Sequence, residues 1–271
     1  MLIGNRYIAG MKVTRVSDAR SVAEDHMRVA FASVFGSYAA DGLTHLSAGG
    51  IQLITGQPHP FGNFAIGMTS EEVEPVASTL ADANVPAALF FGGGTLSSVA
   101  ERLVPLGFGL AATMPAMAVD IAALPETSLP DGYQFGRTPP DAQGATWAKA
   151  LADGYGVPFG IADMMSGTFV PVQGDEDESI QYFHVSHGGQ SVGVSMLVLG
   201  QGVAGIYCVA TLPDHRGRGI GAALTAEPLR LARRLGYQVG VLQSSEMGHA
   251  VYRRLGFEDV GIVQMYSRQP E

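Results

Sequence analysis

The chain alternates between two spacings of apolar residues. Segments with apolar positions every three or four residues predict helices. Segments in which apolar and polar residues alternate, or in which apolar residues are consecutive, predict strands. Thr69 and Glu72 also have the spacing of a capping box, which predicts a helix start at Thr69. The elements predicted in the first half are a helix over 17–35, strands over 51–55 and 63–67, a helix from Thr69 to about 83, a strand over 87–91, a helix from Thr95 to about 106 and a strand over 110–121.

A polar stretch with two prolines, 124–132, interrupts this alternation and predicts a linker. Beyond it, the acidic run 175–178 predicts a solvated loop and Gly188-Gly189 a hairpin turn. Pro228 predicts a bend near Thr225 within one helix. The elements predicted after the linker are a strand over 133–137, a helix over 140–153, strands over 180–186, 191–199 and 203–210, a helix over about 220–235, a strand over 239–242, a helix ending near 255 and a strand over 260–266.

Two segments of the chain have the same local sequence. Leu106-Gly107-Phe108 and Leu255-Gly256-Phe257 each end a predicted helix, come after an apolar strand and lead into another strand. This order suggests a diverged internal duplication, with copies over 1–127 and 128–271. The alternative is chance, because the order helix, glycine and strand is common in α/β proteins.

Composition narrows the class of protein. The chain has 271 residues, of which 46% are hydrophobic and 15% charged, so it can form one large or two ordinary domains. A net charge of −9 and a pI near 5.2 argue against a nucleic-acid surface and weakly favour an amine-bearing ligand. Cys208 is the single cysteine, which rules out a disulfide within the chain and fits a reducing compartment.

The sequence gives no sign of a membrane segment. No apolar run approaches the roughly 20 residues that span a bilayer, and Met1–Arg6 lacks the pattern of a signal peptide. We therefore expect a cytoplasmic protein with neither a membrane nor a nucleic-acid partner.

The segment that carries chemistry lies near the C-terminus. A strand over 205–211 is followed by a turn with glycines at 217, 219 and 221, and then by a helix. The first N–H groups of a helix lack intrahelical partners, and the helix dipole adds partial positive charge there. Glycines let the backbone approach a phosphate, and Arg216 and Arg218 add charge. The segment therefore predicts an anion site.

Two common phosphate-binding motifs do not fit this segment. A P-loop requires Gly-Lys-Ser or Gly-Lys-Thr at its end, and Gly219-Ile220-Gly221-Ala222 supplies neither. A dinucleotide fold requires an acidic residue about 20 residues further on, at the end of a strand. Glu246 does not meet this requirement, because it precedes a helix.

The segment does resemble the acyl-CoA signature of the GNAT N-acetyltransferase superfamily, in the motif Arg216-x-x-Gly219-x-Gly221 after a strand. A second signature of the family follows over 245–257 at the expected separation. Family members commonly have Asn, Ala, Tyr and Gly-Phe there. Ser245 and Gly248 replace Asn and Ala, whereas Tyr252 and Gly256-Phe257 match.

The resemblance covers about 131–268 and implies a role for each matched position. Tyr252 would be the general acid that protonates the leaving thiolate; the alternative is a helix tyrosine that packs on the sheet. Ser245 would lie near the pantetheine. Backbone groups of the strand would pair with the pantetheine and face the thioester, and those of the turn would hold the pyrophosphate. These positions are Val209, Ala210 and Thr211 in the strand, and Arg216, Gly217, Arg218, Gly219, Ile220, Gly221 and Ala222 in the turn.

Other residues carry weaker signals. His184 and His187 would lie on opposite faces of a strand, so we expect no metal site. Cys208 is expected to be a small buried hydrophobe. Tyr207 neighbours the thioester strand and is an active-site candidate, with an ordinary strand aromatic as an equal alternative. Family members often have a Glu base on this strand. Here 202–206 holds no acid, so a water chain or an amine that arrives neutral would have to serve.

Together these inferences predict an α/β protein, α+β in some schemes, built from two GNAT-like mixed sheets with flanking helices. The copy over 1–127 is degenerate and the copy over 128–271 is catalytic. The predicted function is transfer of an acetyl group from acetyl-CoA directly to an amine of a small molecule or peptide. The alternative is a non-catalytic acyl-CoA-binding sensor or regulatory module. No metal is expected, and a homodimer stays open.

Only the second copy is expected to bind coenzyme A. When the two Leu-Gly-Phe turns are aligned, the helix start at Thr69 falls opposite Arg216–Gly221. Glu71 and Glu72 at that start would repel a pyrophosphate.

Overall fold

The computed structural model describes residues 12–35, 42–93, 97–139, 144–166 and 179–270, without the side chains of 97 and 98. The predicted helix start at Thr95, the first residues of the helix predicted over 140–153 and the acidic run 175–178 lie outside these ranges. Seven α-helices lie within them. They are α1 (Arg20–Phe35), α2 (Val73–Asp82), α3 (Ser97–Leu103), α4 (Gly144–Tyr155), α5 (Phe159–Met164), α6 (Ile220–Arg234) and α7 (Glu246–Arg254).

The strands of the described residues form one 11-stranded sheet in the order β1-β2-β3-β4-β11-β5-β10-β9-β8-β7-β6. Two neighbouring pairs, β3–β4 and β9–β10, are parallel, and each is connected through a helix. The strands are β1 (Leu43–His45), β2 (Ile51–Ile54), β3 (Asn63–Ile66), β4 (Ala87–Gly92), β5 (Gly109–Asp120), β6 (Tyr133–Thr138), β7 (Ile180–His187), β8 (Gln190–Gly200), β9 (Val203–Thr211), β10 (Val239–Gln243) and β11 (Glu258–Arg268).

Each half of the chain gives its last strand to the other half. β5 ends the first half but lies between β10 and β11 of the second, antiparallel to both. β11 in turn lies between β5 and β4 of the first half. The α/β class with mixed sheets is confirmed, and the two predicted sheets are continuous through this exchange. The boundary at 127/128 falls between β5 and β6 and stays a prediction.

The helices cover both faces of the sheet. Side chains alternate between the faces along each strand, so on β4 Phe90 packs with α1, α4 and α5, whereas Leu89 packs with α2 and α3 on the opposite face. On that opposite face α6 and α7 cover the second half, where Leu224 and Tyr252 join Leu242 of β10. The neighbouring strands β9 and β10 therefore have α6 and α7 on one face and α1, α4 and α5 on the other.

The first turn before α2 differs from the predicted capping box. The Glu72 carboxylate accepts hydrogen bonds from the Thr69 N–H (2.8 Å) and hydroxyl (2.9 Å), as expected. However, the turn it closes precedes the helix, which begins at Val73 rather than at Thr69. The carboxylate also accepts from the N–H of Ser47 (2.9 Å), so a contact distant in sequence holds this turn outside the helix.

Pro228 lies inside α6, which nevertheless runs from Ile220 to Arg234. A proline has no N–H, so the carbonyl of Leu224 loses its partner within the helix. The hydroxyl of Ser195 on β8, a buried residue, donates to that carbonyl at 2.8 Å. The neighbouring strand thus replaces the hydrogen bond that the proline removes, and the helix continues past it.

The hairpin predicted at Gly188-Gly189 is confirmed. The two glycines connect β7 and β8 with φ of +57° and +79°. Two successive positive φ values are typical of a type I′ hairpin turn, whose backbone twist matches that of the two strands it connects.

Candidate active site

The parallel strands β9 and β10 separate in the middle of the sheet. They pair at Ala204–Gly240 and Gly205–Val241, after which β9 continues to Thr211 without β10 beside it. Its other edge stays paired with β8. Buried backbone N–H and C=O groups need partners, so this open edge over 206–211 offers hydrogen bonds to a ligand.

A β-bulge turns the backbone of β9 at this opening. Between the pairs Val194–Ala210 and Met196–Tyr207 the register shifts, so that Ser195 faces two residues, Cys208 and Val209. Cys208 has a φ of +53°, which is uncommon for a residue with a side chain. The bulge therefore re-aims the N–H groups of the strand where the sequence places the thioester.

Cys208 is not the buried hydrophobe that its apolar neighbours suggest. Its side chain is half-buried beside Met165, with Sγ to Sδ at 3.9 Å, and it lines the cavity described below. Burial raises the pKa of the Cys208 thiol to about 12, so it stays protonated and is a poor nucleophile. The bulge, a tertiary feature, exposes it to the cavity.

The glycine-rich turn opens α6 as predicted for an anion site. Gly217 and Gly219 have φ of +75° and +80°, and Gly219 is the N-cap residue of α6. A Cβ at Gly219 would lie 3.3 Å from the carbonyl oxygen of Ser128. The turn therefore requires glycine for its backbone, and it leaves the first N–H groups of α6 free of side chains.

The two arginines of the turn differ in position. Arg216 donates to the carbonyls of Gly154 (2.9 Å) and Thr211 (3.2 Å), which ties the end of β9 to α4. Arg218 donates to the carbonyl of Asp214 (3.1 Å) and does not line the cavity. The guanidinium of Arg216 thus braces the turn.

Helix α7 brings Tyr252 to the same opening. The N-cap residue of α7 is Ser245, whose Oγ accepts a hydrogen bond from the N–H of Gly248 at 3.2 Å. This contact accounts for serine in place of the family's asparagine, since both residue types cap helices. A Cβ at Gly248 would lie 2.8 Å from Cε2 of Tyr252, so the second departure from the family pattern leaves room for the ring.

Tyr252 is 9% exposed, and within the described residues its hydroxyl has no hydrogen-bond partner. Burial raises the pKa of Tyr252 to about 12. The phenol is therefore protonated at neutral pH and has a proton to donate. The ring also packs against Phe257, which fits the alternative role of a tyrosine that only packs on the sheet. Tyr252 lines the cavity as well, which packing alone does not require.

A single cavity of about 1090 Å³ joins these elements. It extends from the turn at α6, through the gap between β9 and β10, to the opposite face of the sheet. Every predicted site residue other than Arg218 lines it. These are Val209, Ala210, Thr211, Arg216, Gly217, Gly219, Ile220, Gly221, Ala222, Ser245 and Tyr252.

The far end of the cavity is built by the first half of the chain, which sequence reasoning missed. Its apolar wall is formed by Met27, Phe31, Phe35, Phe61, Phe90 and Met114. The rings hold one another, with centroids of Phe31 and Phe90 at 5.5 Å and of Phe61 and Phe90 at 6.2 Å. No local motif marks these residues, because only the strand exchange and α1 bring them to the site.

Tyr207, an active-site candidate from the sequence, also lines the cavity. Its hydroxyl is 2.9 Å from Nδ1 of His26, a fully buried residue of α1. Burial lowers the pKa of His26 to about 4 and raises the pKa of Tyr207 well above its usual range. Both side chains are therefore neutral at physiological pH. The contact with His26 holds the Tyr207 side chain in place in the cavity lining.

No group of three or more His, Cys, Asp and Glu side chains in the described ranges could hold a metal ion. His184 instead contacts the Thr138 hydroxyl at 2.9 Å, and His187 stacks on Tyr133. None of the helices in those ranges is long and apolar enough to span a bilayer.

Comparison with protein families identifies the second half. Residues 178–259 match the model of the acetyltransferase (GNAT) domain. The comparison with curated protein sequences gives no match.

Solved structures with the same fold cover both halves. A GCN5-related N-acetyltransferase from Kribbella flavida has a TM-score of 0.63 at 20% identity, over 90% of this chain and 95% of that one. Another, from Sphaerobacter thermophilus, has a TM-score of 0.59 at 17% identity, over 95% and 94%. A tandem GNAT protein from the clavulanic acid biosynthesis pathway has a TM-score of 0.53 at 15% identity, over 82% and 80%.

The fold and the family match together define the class. The chain has a tandem GNAT fold, and its second half carries a GNAT acetyltransferase domain. The domain match supports acyltransferase activity for this half of the chain.

Proposed function

We propose that the chain transfers an acetyl group from acetyl-CoA directly to an amine. The observation that carries this proposal is the continuity of the cavity, which connects the glycine turn of α6, the open edge of β9 and the ring of Tyr252. Each part matches one need of the reaction, namely an anion contact, a backbone partner for an extended arm and a proton donor. The fit to a pyrophosphate rests on the two glycines with positive φ at the start of α6.

The backbone of β9 would do two things in this reaction. Its open edge over 206–211 would bind the pantetheine arm by strand-like hydrogen bonds and place the thioester beside the bulge at Cys208. N–H groups at the bulge would stabilise the negative charge that develops on the thioester oxygen. Because donor and acceptor share one cavity, proximity would supply much of the rate.

Tyr252 would supply the proton in the second part of the reaction. The acceptor nitrogen forms a bond to the carbonyl carbon, the carbon–sulfur bond breaks, and Tyr252 protonates the departing sulfur. The proton lost by the new amide nitrogen restores the phenol, so no further reactant is needed. A thiolate is less basic than a phenolate, so this transfer requires the positioning that α7 provides.

The test is Tyr252→Phe, which keeps the ring that packs on Phe257 and removes only the hydroxyl. We expect acetyl-CoA to bind with near-normal affinity in calorimetry, while single-turnover transfer falls by roughly 10²–10⁴-fold. An acceptor is first found by an acetyl-CoA consumption screen over amines, aminoglycosides, amino acids and peptides.

The matched control is Tyr266→Phe, at a buried tyrosine of β11 that lies outside the cavity lining and packs on Phe91. This change should leave the chemical step unaltered. Equal transfer rates for wild type and Tyr252→Phe across several pH values would remove the general-acid role. A wild type that binds acetyl-CoA but acetylates no amine would favour the sensor alternative.

A further inference from the structure

The two ends of the cavity differ in their chemistry. At the end near α6 the lining includes His215 and Arg216, beside the backbone of the glycine turn. At the other end the apolar wall consists of four phenylalanines and two methionines from the first half. The donor's anionic groups suit the first end. The second end is left for whatever accepts the acetyl group, since the acetyl group itself is small.

Among the described residues that line the cavity, none is Asp or Glu. A cationic group buried there would have no carboxylate partner, and burying an unpaired charge is costly. The overall charge of −9 suggests an attraction for cations, but no acidic side chain of the described residues lines the cavity. This lining disfavours an acceptor with a second cationic group, such as a polyamine or an aminoglycoside.

We infer that the acceptor is an apolar amine with no second charge, its body against the apolar wall and its nitrogen beside the bulge at Cys208. This inference rests on the proposed function and names its substrate class. It also explains the missing base. Apolar surroundings disfavour the charged form of an amine, so an amine seated here loses its proton to water and attacks in the neutral form.

Another occupant of the wall would be the chain of a longer acyl donor. The observations favour the amine. An acyl chain placed on the wall would occupy the aromatic surface that the first half of the chain contributes, and would leave none of it for the acceptor. Affinity for donors of increasing length distinguishes the two occupants.

The experiment compares two acceptors of equal length on the wild type. Hexylamine and 1,5-diaminopentane each have seven heavy atoms and differ by a terminal methyl or ammonium group. We expect kcat/KM for hexylamine to exceed that for the diamine by about 100-fold, and direct calorimetry to show the same preference. The calorimetric measurement needs no acetyl-CoA, so it tests the inference even if the proposed transfer does not occur.

A charge variant makes the test specific to the wall. Met114→Glu places a carboxylate on the wall in a side chain of similar size, and it should shift the preference toward the diamine by about tenfold or more. The matched control is Leu110→Glu on the same strand, at a position that is 53% exposed and outside the cavity lining. It should leave the preference unchanged.

Three results would overturn the inference. One is equal or tighter binding of the diamine by the wild type. Another is an equal shift in Met114→Glu and Leu110→Glu. The third is binding of octanoyl-CoA more than about tenfold tighter than acetyl-CoA, which would assign the wall to the acyl chain. Failure of the proposed function would look different. Acetyl-CoA would not bind, or it would bind without transfer to any amine, whereas the calorimetric preference between the two amines would be unaffected.

Discussion

The two halves of the molecule use the same strand–helix–strand unit, but only one of them opens. In the first half β3 pairs with β4 from Phe64 to Ile66, the last residue of β3. In the second half β9 extends six residues beyond its last pair with β10, over 206–211. A strand that outruns its parallel partner leaves a gap, and a strand that ends with its partner leaves none. The difference in strand length thus creates the site.

The helix inside each unit shows a second difference. α6 starts after Gly219, whose positive φ leaves the first N–H groups open to the cavity. α2 starts after Glu72, whose carboxylate accepts from the N–H groups of Thr69 and Ser47. These bonds lower the pKa of Glu72 to about 2, so the carboxylate is charged at every physiological pH. The first half thus carries its own anion near the helix start.

The two units thus share an arrangement of strands and helix, but only in the second does the first strand extend beyond its pairing with the strand after the helix. The first half nevertheless serves the second, since it contributes β5 to the sheet and the apolar wall to the cavity. Substitutions at single residues measure how far each half depends on the other.

The largest effect concerns His26, which the first half buries against Tyr207 of the second. Its pKa is about 4 in the fold against 6.5 when free, so the unfolded chain takes up a proton that the folded chain refuses. The contribution of His26 to the free energy of unfolding is fully present above pH 6.5. It falls by about 3 kcal/mol as the pH decreases to 4.

Urea unfolding of wild type and His26→Gln between pH 7 and pH 4 checks this value. The variant should lose this part of the acid sensitivity. His45→Gln, at an exposed position, is the control and should behave as wild type. Identical pH profiles for wild type and His26→Gln would show that the buried contact between the halves does not contribute.

The next effect concerns the proline in each helix. Pro75 lies in the first turn of α2, where its missing N–H costs nothing, whereas Pro228 lies inside α6 and needs the hydroxyl of Ser195. Ser195→Ala should lower the free energy of unfolding by about 1–3 kcal/mol, because the buried carbonyl of Leu224 loses its partner.

A double-mutant cycle separates this contact from general packing. In Pro228→Ala the helix regains an N–H for Leu224, so Ser195→Ala should cost about half as much or less in that background. Ser186→Ala on β7 serves as the control. A cost of Ser195→Ala that is the same in both backgrounds would contradict the role of the hydroxyl.

A smaller effect is expected from the turn that distinguishes the two helix starts. Gly219→Leu should weaken coenzyme A binding at least about tenfold, or roughly 1.4 kcal/mol, because the side chain strains the turn and blocks the approach to the backbone. Gly188→Leu is a matched control, since Gly188 also has a positive φ, of +57°, but no atom near its added Cβ. Calorimetry that shows equal affinity for both folded variants would remove the phosphate assignment.

The smallest effect is expected in the first half. Glu72→Gln removes the charge at the start of α2 but leaves β3 and β4 paired, so no gap opens for a pantetheine arm. We expect one coenzyme A per chain in both wild type and variant, as measured by calorimetry. A second equivalent bound by the variant would show that the charge alone closes the first half.

Several parts of the site were predictable because the signal is local. The glycines of 217–221 and the spacing of Ser245, Tyr252 and Gly256-Phe257 were recognised in the sequence. Of the positions predicted between Val209 and Ala222, all except Arg218 line the cavity. Their roles stay predictions. The bulge at Cys208 and the start of α2 at Val73 were missed, because each depends on a contact with a distant segment.

Local patterns in the sequence were enough to predict most of the helices and strands, though not β1 or α5, and to locate the glycine turn before α6. These features depend on apolar spacing and on glycines that act within a few residues. Only the tertiary structure decided that the halves exchange their last strands, that β9 outruns β10 and that first-half aromatic residues wall the cavity. Strand partners are chosen by packing across the whole sheet, and that choice leaves no mark in the local pattern of apolar residues.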